Sequence, residues 1–142
     1  MDTNNKIFIK INILPEDMVN IIKEYLPKIY FIFTNRENYT LYHPIIKLRI
    51  TKYENYIRDI IIRDNDFVFD KIVKENYKKW IENKNYIYKH LVFKNYIYFI
   101  NHFCIEMKSH KCKTYFSHFI NELGLCKNQH KKNIIKHIIW KN

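Results

Sequence analysis

The chain has 142 residues and a formal charge of +11 at pH 7, a length that suits one domain burying roughly two-thirds of its unfolded surface. Its three cysteines, Cys104, Cys112 and Cys126, are an odd number, and no signal-peptide pattern opens the sequence. Both features argue against a secreted disulfide framework and for a reducing, intracellular compartment. The longest uncharged stretch, Asn95 to Ile105, is far below the roughly 20 apolar residues of a membrane-crossing helix.

Lys6 to Ile13 alternates isoleucine with Lys, Phe and Asn, which predicts a strand or extended arm at the N-terminus, residues 1–9 being the arm itself. From Pro15 to Leu26 the apolar residues Met18, Val19, Ile22, Tyr25 and Leu26 recur at helical spacing. They stand behind a proline suited to a first turn and two acids, Glu16 and Asp17, at its positive end. In that helix Leu14 and Pro15 are expected at the exposed start, with Ile22 and Leu26 turned toward the protein's own core. Pro27 stops the helix, an aromatic segment runs from Lys28 to Phe33, Thr34-Asn35-Arg36 makes a turn, and Pro44 punctuates again.

Beyond Pro44 there is no proline and a single glycine, Gly124, so the turn chemistry of a multi-hairpin sheet is missing. Helices are predicted over Tyr53–Arg63, Asp66–Glu75, Tyr77–Glu82, Tyr86–Phe93, Tyr96–Met107, Cys112–Leu123 and Asn128–Trp140, with Gly124 and Asn128 as caps. Shifted by 30 residues, Asn55–Phe69 lies over Asn85–Phe99 with five identities. A duplication would make each unit a helix, a turn and a helix, stacking on its neighbour. The expected fold class is therefore all-α: a helical segment over residues 10–48, then stacked helix-turn-helix pairs over 50–142.

The segment LPEDMVNIIKEYLP, Leu14 to Pro27, resembles the opening of an F-box in register over fourteen positions. Leu14 and Pro15 match the opening pair, Asp17 the acidic place, Met18, Val19 and Ile22 the aliphatic places, and Tyr25, Leu26 and Pro27 the closing trio. FTNRENY, Phe33 to Tyr39, is similar to a degraded second element, and Tyr42-His43-Pro44 lies where the family often has Asp-Pro. Lys23 departs from a usually apolar position, and the stretch between Pro27 and Phe33 is about one helical turn short. Such openings, with this AT-rich composition, resemble F-box-like proteins of nucleocytoplasmic large DNA viruses. The resemblance implies a helical trio that docks on the adaptor subunit of a cullin-type ubiquitin ligase through Leu14, Pro15, Met18, Val19, Ile22, Leu26 and Pro27. It also implies a target captured by the rest of the chain, and work in the host cytoplasm or nucleus. Read without the resemblance, the same residues make an ordinary first helix packed in its own core.

Other groupings point less clearly to chemistry. His102-Phe103-Cys104 and His110-Lys111-Cys112 repeat a His-x-Cys pattern, and Cys126 precedes His130 by four positions. Only that last pair has a spacing used by structural zinc sites, so no metal and no other cofactor is expected. Asp59, Asp64, Asp66 and Asp70 cluster with Arg58 and Arg63, where Asp66 reads as a helix N-cap and Asp59 with Arg63 as a surface pair. Ser109 and Ser117, the two serines, lack a glycine-framed elbow, and one glycine cannot build a phosphate loop. No catalytic residue emerges, and an enzyme is not expected.

Charge supplies the competing reading. Ile, Lys, Asn, Tyr and Phe make up 86 of the 142 residues, and the split of 21 Lys to 4 Arg fits codon bias as readily as selection for a polyanion. Lys78 and Lys79, flanked by Tyr77 and Trp80, and Lys131, Lys132 and Lys136 near the C-terminus are the candidate contacts to nucleic acid. With so little Arg, such binding would be sequence-independent. The sequence thus predicts a non-enzymatic protein–protein interaction adaptor, with a basic helical nucleic-acid-binding protein or a structural, virion-associated helical protein as alternatives.

Overall fold

The computed structural model describes residues 14–125 and 134–137. The expected extended arm, Cys126, Asn128, His130, Lys131 and Lys132 lie outside the described residues. By internal contacts the chain divides into two compact units, Met1–Arg49 and Ile50–Asn142.

In the first unit, helix α1 spans Glu16–Tyr25. Pro15 closes its N-terminal end, its carbonyl accepting from the amides of Met18 at 3.0 Å and Val19 at 3.1 Å. The helix ends where Pro27 forces the residue before it out of the helical region, and Leu26 is extended at ψ 136. A short 3-10 helix follows over Lys28–Phe31, and the Thr34 hydroxyl donates to the Phe31 carbonyl at 2.7 Å. Asn35 then caps helix α2, Arg36–Arg49, its side chain accepting from the Asn38 amide at 2.7 Å. Tyr39, His43 and Ile46 are the buried residues of α2, at the spacing of one helical face. Pro44 does not break the chain here; it sits inside α2. A proline there removes one backbone donor.

The second unit contains helices α3 (Tyr53–Ile62), α4 (Asp66–Glu82), α5 (Tyr96–Glu106) and α6 (His110–Glu122). Strands β1 (Lys84–Tyr88) and β2 (Leu91–Asn95) form an antiparallel hairpin between α4 and α5, and β3 (Ile134–His137) joins β2 in a sheet of order β1-β2-β3. The core is aliphatic and aromatic: Ile57, Ile60 and Ile61 from α3, Phe69, Ile72 and Val73 from α4, Phe99, Ile100 and Phe103 from α5, and Phe116 and Ile120 from α6, all buried. Each set recurs at three- and four-residue spacing, which is what makes the helices amphipathic.

Helices α3 and α5 end in the same way. Asp64 and Lys108 take left-handed φ values of 51 and 57. The following amides reach back five residues, Asn65 to the Ile60 carbonyl at 3.2 Å and Ser109 to the Cys104 carbonyl at 3.0 Å. This is the Schellman arrangement, usually completed by glycine. Gly124, at φ 68 after Leu123, fills the corresponding place behind α6.

The structure departs from the sequence expectation at several further points. The all-α expectation becomes a mostly helical chain with a small antiparallel sheet. Tyr86–Phe93 is not a helix; it lies within the hairpin, where β-favouring Tyr, Ile, Val and Phe prevail. Its two-residue turn, Lys89-His90, places Lys89 at φ 52. The segments Asp66–Glu75 and Tyr77–Glu82 fuse into one helix of 17 residues. Of the expected last helix, the described residues Ile134–His137 are a strand paired with β2. In the 30-residue comparison, Asn65 and Asn95 both cap helices, accepting from Val68 at 3.2 Å and Tyr98 at 3.3 Å. Phe69 and Phe99 are both fully buried. Yet Asn55–Ile62 is helical where Asn85–Val92 is hairpin, so the second copy is not a helix-turn-helix unit.

Candidate functional site

Helix α1 carries no buried side chain. Leu14, Met18, Ile21, Ile22, Tyr25 and Leu26 are all exposed, from 37% for Leu14 to 85% for Tyr25. Pro15 and Pro27 are exposed as well, and Val19 is half-buried. Met18, Ile21, Ile22 and Tyr25 follow one another at helical spacing and form a single apolar stripe. Every residue of the expected partner-binding set thus lies at or near the surface of one short segment. The expectation that Ile22 and Leu26 turn into the protein's own core is overturned, since they are 42% and 41% exposed. Exposed apolar residues scattered singly need no explanation; Met18, Ile21, Ile22 and Tyr25 instead share one helical face.

A groove of about 720 Å³ lies within the same unit, lined among others by Lys23, Leu26, Lys28, Phe31, Asn38 and Tyr42. Its polar groups are largely engaged: the Asn38 amide group donates to Thr34 at 2.9 Å, and Lys28 stands 5.8 Å from the Tyr42 ring.

Of the expected nucleic-acid residues, Lys131 and Lys132 lie outside the described residues. Lys78 and Lys79 are exposed on α4, but their aromatic neighbours are committed elsewhere. Tyr77 meets Phe119 edge-on at 5.5 Å, and buried Trp80 packs on Tyr96 at 5.4 Å. Neither ring is left as a stacking platform for bases. Lys136 stands opposite Val92 in the β2–β3 register.

The acidic cluster is structural. Asp59 pairs with Arg63 at 2.8 Å and Asp70 with Lys74 at 2.8 Å. Asn65, not Asp66, caps α4. Asp64 caps α6 from outside that helix, accepting from the amides of Cys112 at 2.9 Å and Lys111 at 3.1 Å. Desolvation pushes its carboxyl up, yet the Cys112 and Lys111 amides together prevail and hold it below the ordinary range. Ser109 is buried and donates its hydroxyl to the Ile61 carbonyl. Cys104 and Cys112 are free, fully buried thiols; burial pushes Cys104 up to about 12 and raises Cys112 as well, the opposite of what a reactive cysteine needs. Among the described residues no three His, Cys, Asp or Glu side chains gather to hold a metal ion.

Sequence reasoning missed two features. Arg58 donates to the Tyr86 hydroxyl at 2.8 Å, Tyr86 donates to Glu54 at 3.0 Å, and the guanidinium lies 5.3 Å from the Tyr88 ring and 5.6 Å from that of Phe99. Burial first, and then the Glu54 contact, raises the Tyr86 phenol. This node ties the hairpin to α3; only the Glu54–Arg58 spacing of four residues hinted at it. The second is a cleft of about 320 Å³ lined by Tyr98, Asn101, Ile105, Lys113, Ser117, Ile120 and Leu125.

Compared with protein-family models, with curated proteins and with solved structures, the chain matches none.

Proposed function

We propose that the protein is a non-enzymatic interaction adaptor that docks through α1, in the manner of an F-box-like substrate receptor for a cullin-type ubiquitin ligase inside the cell. One observation carries the reading: the segment with the F-box-like spacing is a helix with no buried side chain, whose Met18, Ile21, Ile22 and Tyr25 are each more than a third exposed. A stripe of Met18, Ile21, Ile22 and Tyr25 on a short helix, with Leu14 just before it, is the form in which helix-in-groove partners are met. Leu14 and Pro15 stand at its open start, so a partner's apolar groove would reach them first. An ordinary first helix packed in its own core would bury at least one residue of that stripe, and α1 buries none. Binding through nucleic acid ranks behind, because the aromatic neighbours of Lys78 and Lys79 are turned into the fold.

Co-elution tests the reading. The full chain mixed with the purified adaptor subunit of a cullin-type ligase is expected to run as a complex in size-exclusion chromatography. Leu14→Ala with Pro15→Ala is expected to lose that complex while thermal stability holds, since exposed positions change stability by about half a kcal/mol or less. A complex unaffected by the double substitution, or no complex with the wild-type chain, rejects the proposal.

A further inference from the structure

The positive charge is not spread evenly. Up to Asn83 the chain has 10 Lys, 4 Arg and 12 acidic residues; from Lys84 on it has 11 Lys, no Arg and two acids, Glu106 and Glu122. Codon bias fits the lysine excess, but it does not account for the near disappearance of acids in one stretch. The cleft between α5 and α6 lies in that acid-poor stretch. Tyr98, Asn101 and Ile105 line it from α5 at intervals of three and four residues, and Lys113, Ser117 and Ile120 line it from α6 at four and three. Two helical stripes therefore face one another across it.

The lining divides chemically. Lys113, Ser117, Asn101 and the Tyr98 phenol supply hydrogen-bond donors, and among the described residues none of these side chains has a hydrogen-bond or ion-pair partner within the protein. Ile105, Ile120 and Leu125 supply apolar wall, and among the described residues no carboxylate lines the cleft. Donors with an uncompensated ammonium beside aliphatic surface suit a carboxylate next to an apolar side chain. Nucleic acid fits less well, because the cleft offers one aromatic ring for stacking and the stretch has no Arg for bidentate phosphate contacts.

We propose that the α5–α6 cleft is a binding site for an acidic peptide segment, anchored by a carboxylate on Lys113, Ser117 and Asn101 with the neighbouring apolar side chain against Ile105 and Ile120. The excess of Lys over acids from Lys84 on favours an acidic segment over a basic one. The site uses other residues, in the other unit, than the α1 docking face, so either can fail without the other.

The probe is a fluorescein-labelled peptide of alternating Asp or Glu with Leu, titrated with the full chain by fluorescence polarisation at about 0.15 M salt, where long-range attraction is largely screened. Saturable binding is expected, weakened about tenfold or more by Lys113→Ala, the loss typical of one charge-assisted contact. Lys94→Ala, an exposed lysine on the hairpin that does not line the cleft, is the control and is expected to change affinity less than about threefold. Ser117→Ala and Asn101→Ala are expected to weaken binding with unchanged melting temperature. The proposal is overturned if the peptide does not bind, or if Lys113→Ala and Lys94→Ala act alike. It is also overturned if a single-stranded oligonucleotide binds more tightly than the peptide.

Discussion

Asp64 gives the sharpest test of how the second unit is held together. Its carboxylate accepts the amides of Cys112 at 2.9 Å and Lys111 at 3.1 Å, so it does for α6 what a local N-cap would do, from a residue at the end of α3. A cap of this kind contributes about 1 kcal/mol, and a negative charge at a helix N-terminus adds roughly 0.3–1 kcal/mol. Asp64 also occupies a left-handed φ of 51, which Asp and Asn tolerate better than Ala, a difference of about 1 kcal/mol. Asp64→Ala is therefore expected to cost about 2–3 kcal/mol, and Asp64→Asn, which keeps the turn and one acceptor oxygen, about 1 kcal/mol. Urea denaturation of the three proteins measures both. The charge contribution has a sign in pH as well. The folded carboxyl is held below its ordinary range, so its stabilisation is fully present above the unfolded value near 4 and is lost as pH falls through the lower folded value. The gap between wild type and Asp64→Asn is expected to narrow as pH drops from neutrality to about 3. An Asp64→Ala protein within half a kcal/mol of wild type, or an Asn gap that persists at low pH, would refute the tertiary cap.

Lys108, at φ 57 behind α5, carries no hydrogen bond or ion pair from its side chain among the described residues, so Lys108→Gly is expected to raise stability by about 1 kcal/mol in the same denaturation assay. Arg58→Lys keeps the charge but not the guanidinium whose Nη2 reaches both Tyr86 and Glu54 and which lies by the Tyr88 and Phe99 rings. It is expected to speed amide exchange in the β1–β2 hairpin, measured by hydrogen–deuterium exchange, with a loss of about 1–2 kcal/mol. Leu26→Ala, at an exposed site, is expected to shift thermal stability by about half a kcal/mol or less, not by the 2–5 kcal/mol of a buried leucine. Cys104 and Cys112 are expected to react with a thiol reagent at pH 8 only on unfolding, because they are buried and their thiols are pushed well above that pH; fast labelling of either in the native protein would contradict the packing.

Helix α1 and the cores of α3, α5 and α6 were legible because their apolar residues keep the helical period, and their ends are marked by Pro15, Asn95 and Gly124. The hairpin was not. Its turn uses Lys89-His90 in place of the Asn-Gly type that advertises a two-residue loop, and a segment of Tyr, Ile, Val and Phe satisfies helical and strand periods alike. The left-handed position at Lys108 was hidden as well, since lysine does not signal a positive φ, whereas Asp64 is of a residue type that tolerates one. At the candidate site, the residues of α1 could be named from spacing, but their exposure could not. An amphipathic helix reads the same whether its apolar face meets the protein's own core or a partner's groove, and so Ile22 and Leu26 were expected inside. The Arg58 node and the α5–α6 cleft depend on residues far apart in the chain, Arg58 with Tyr86 and Asn101 with Ser117, which no local pattern connects.

Hydrogen–deuterium exchange of the full chain, free and mixed with the purified adaptor subunit of a cullin-type ubiquitin ligase, tests the docking proposal most directly. The account predicts slowed exchange confined to the segment around α1, Glu16–Tyr25, with the four helices of the second unit unchanged. It also predicts that Met18→Asp with Ile22→Asp abolishes the slowing without altering exchange elsewhere. A complex that leaves α1 exchanging as fast as in the free chain, or the absence of any complex, would contradict it.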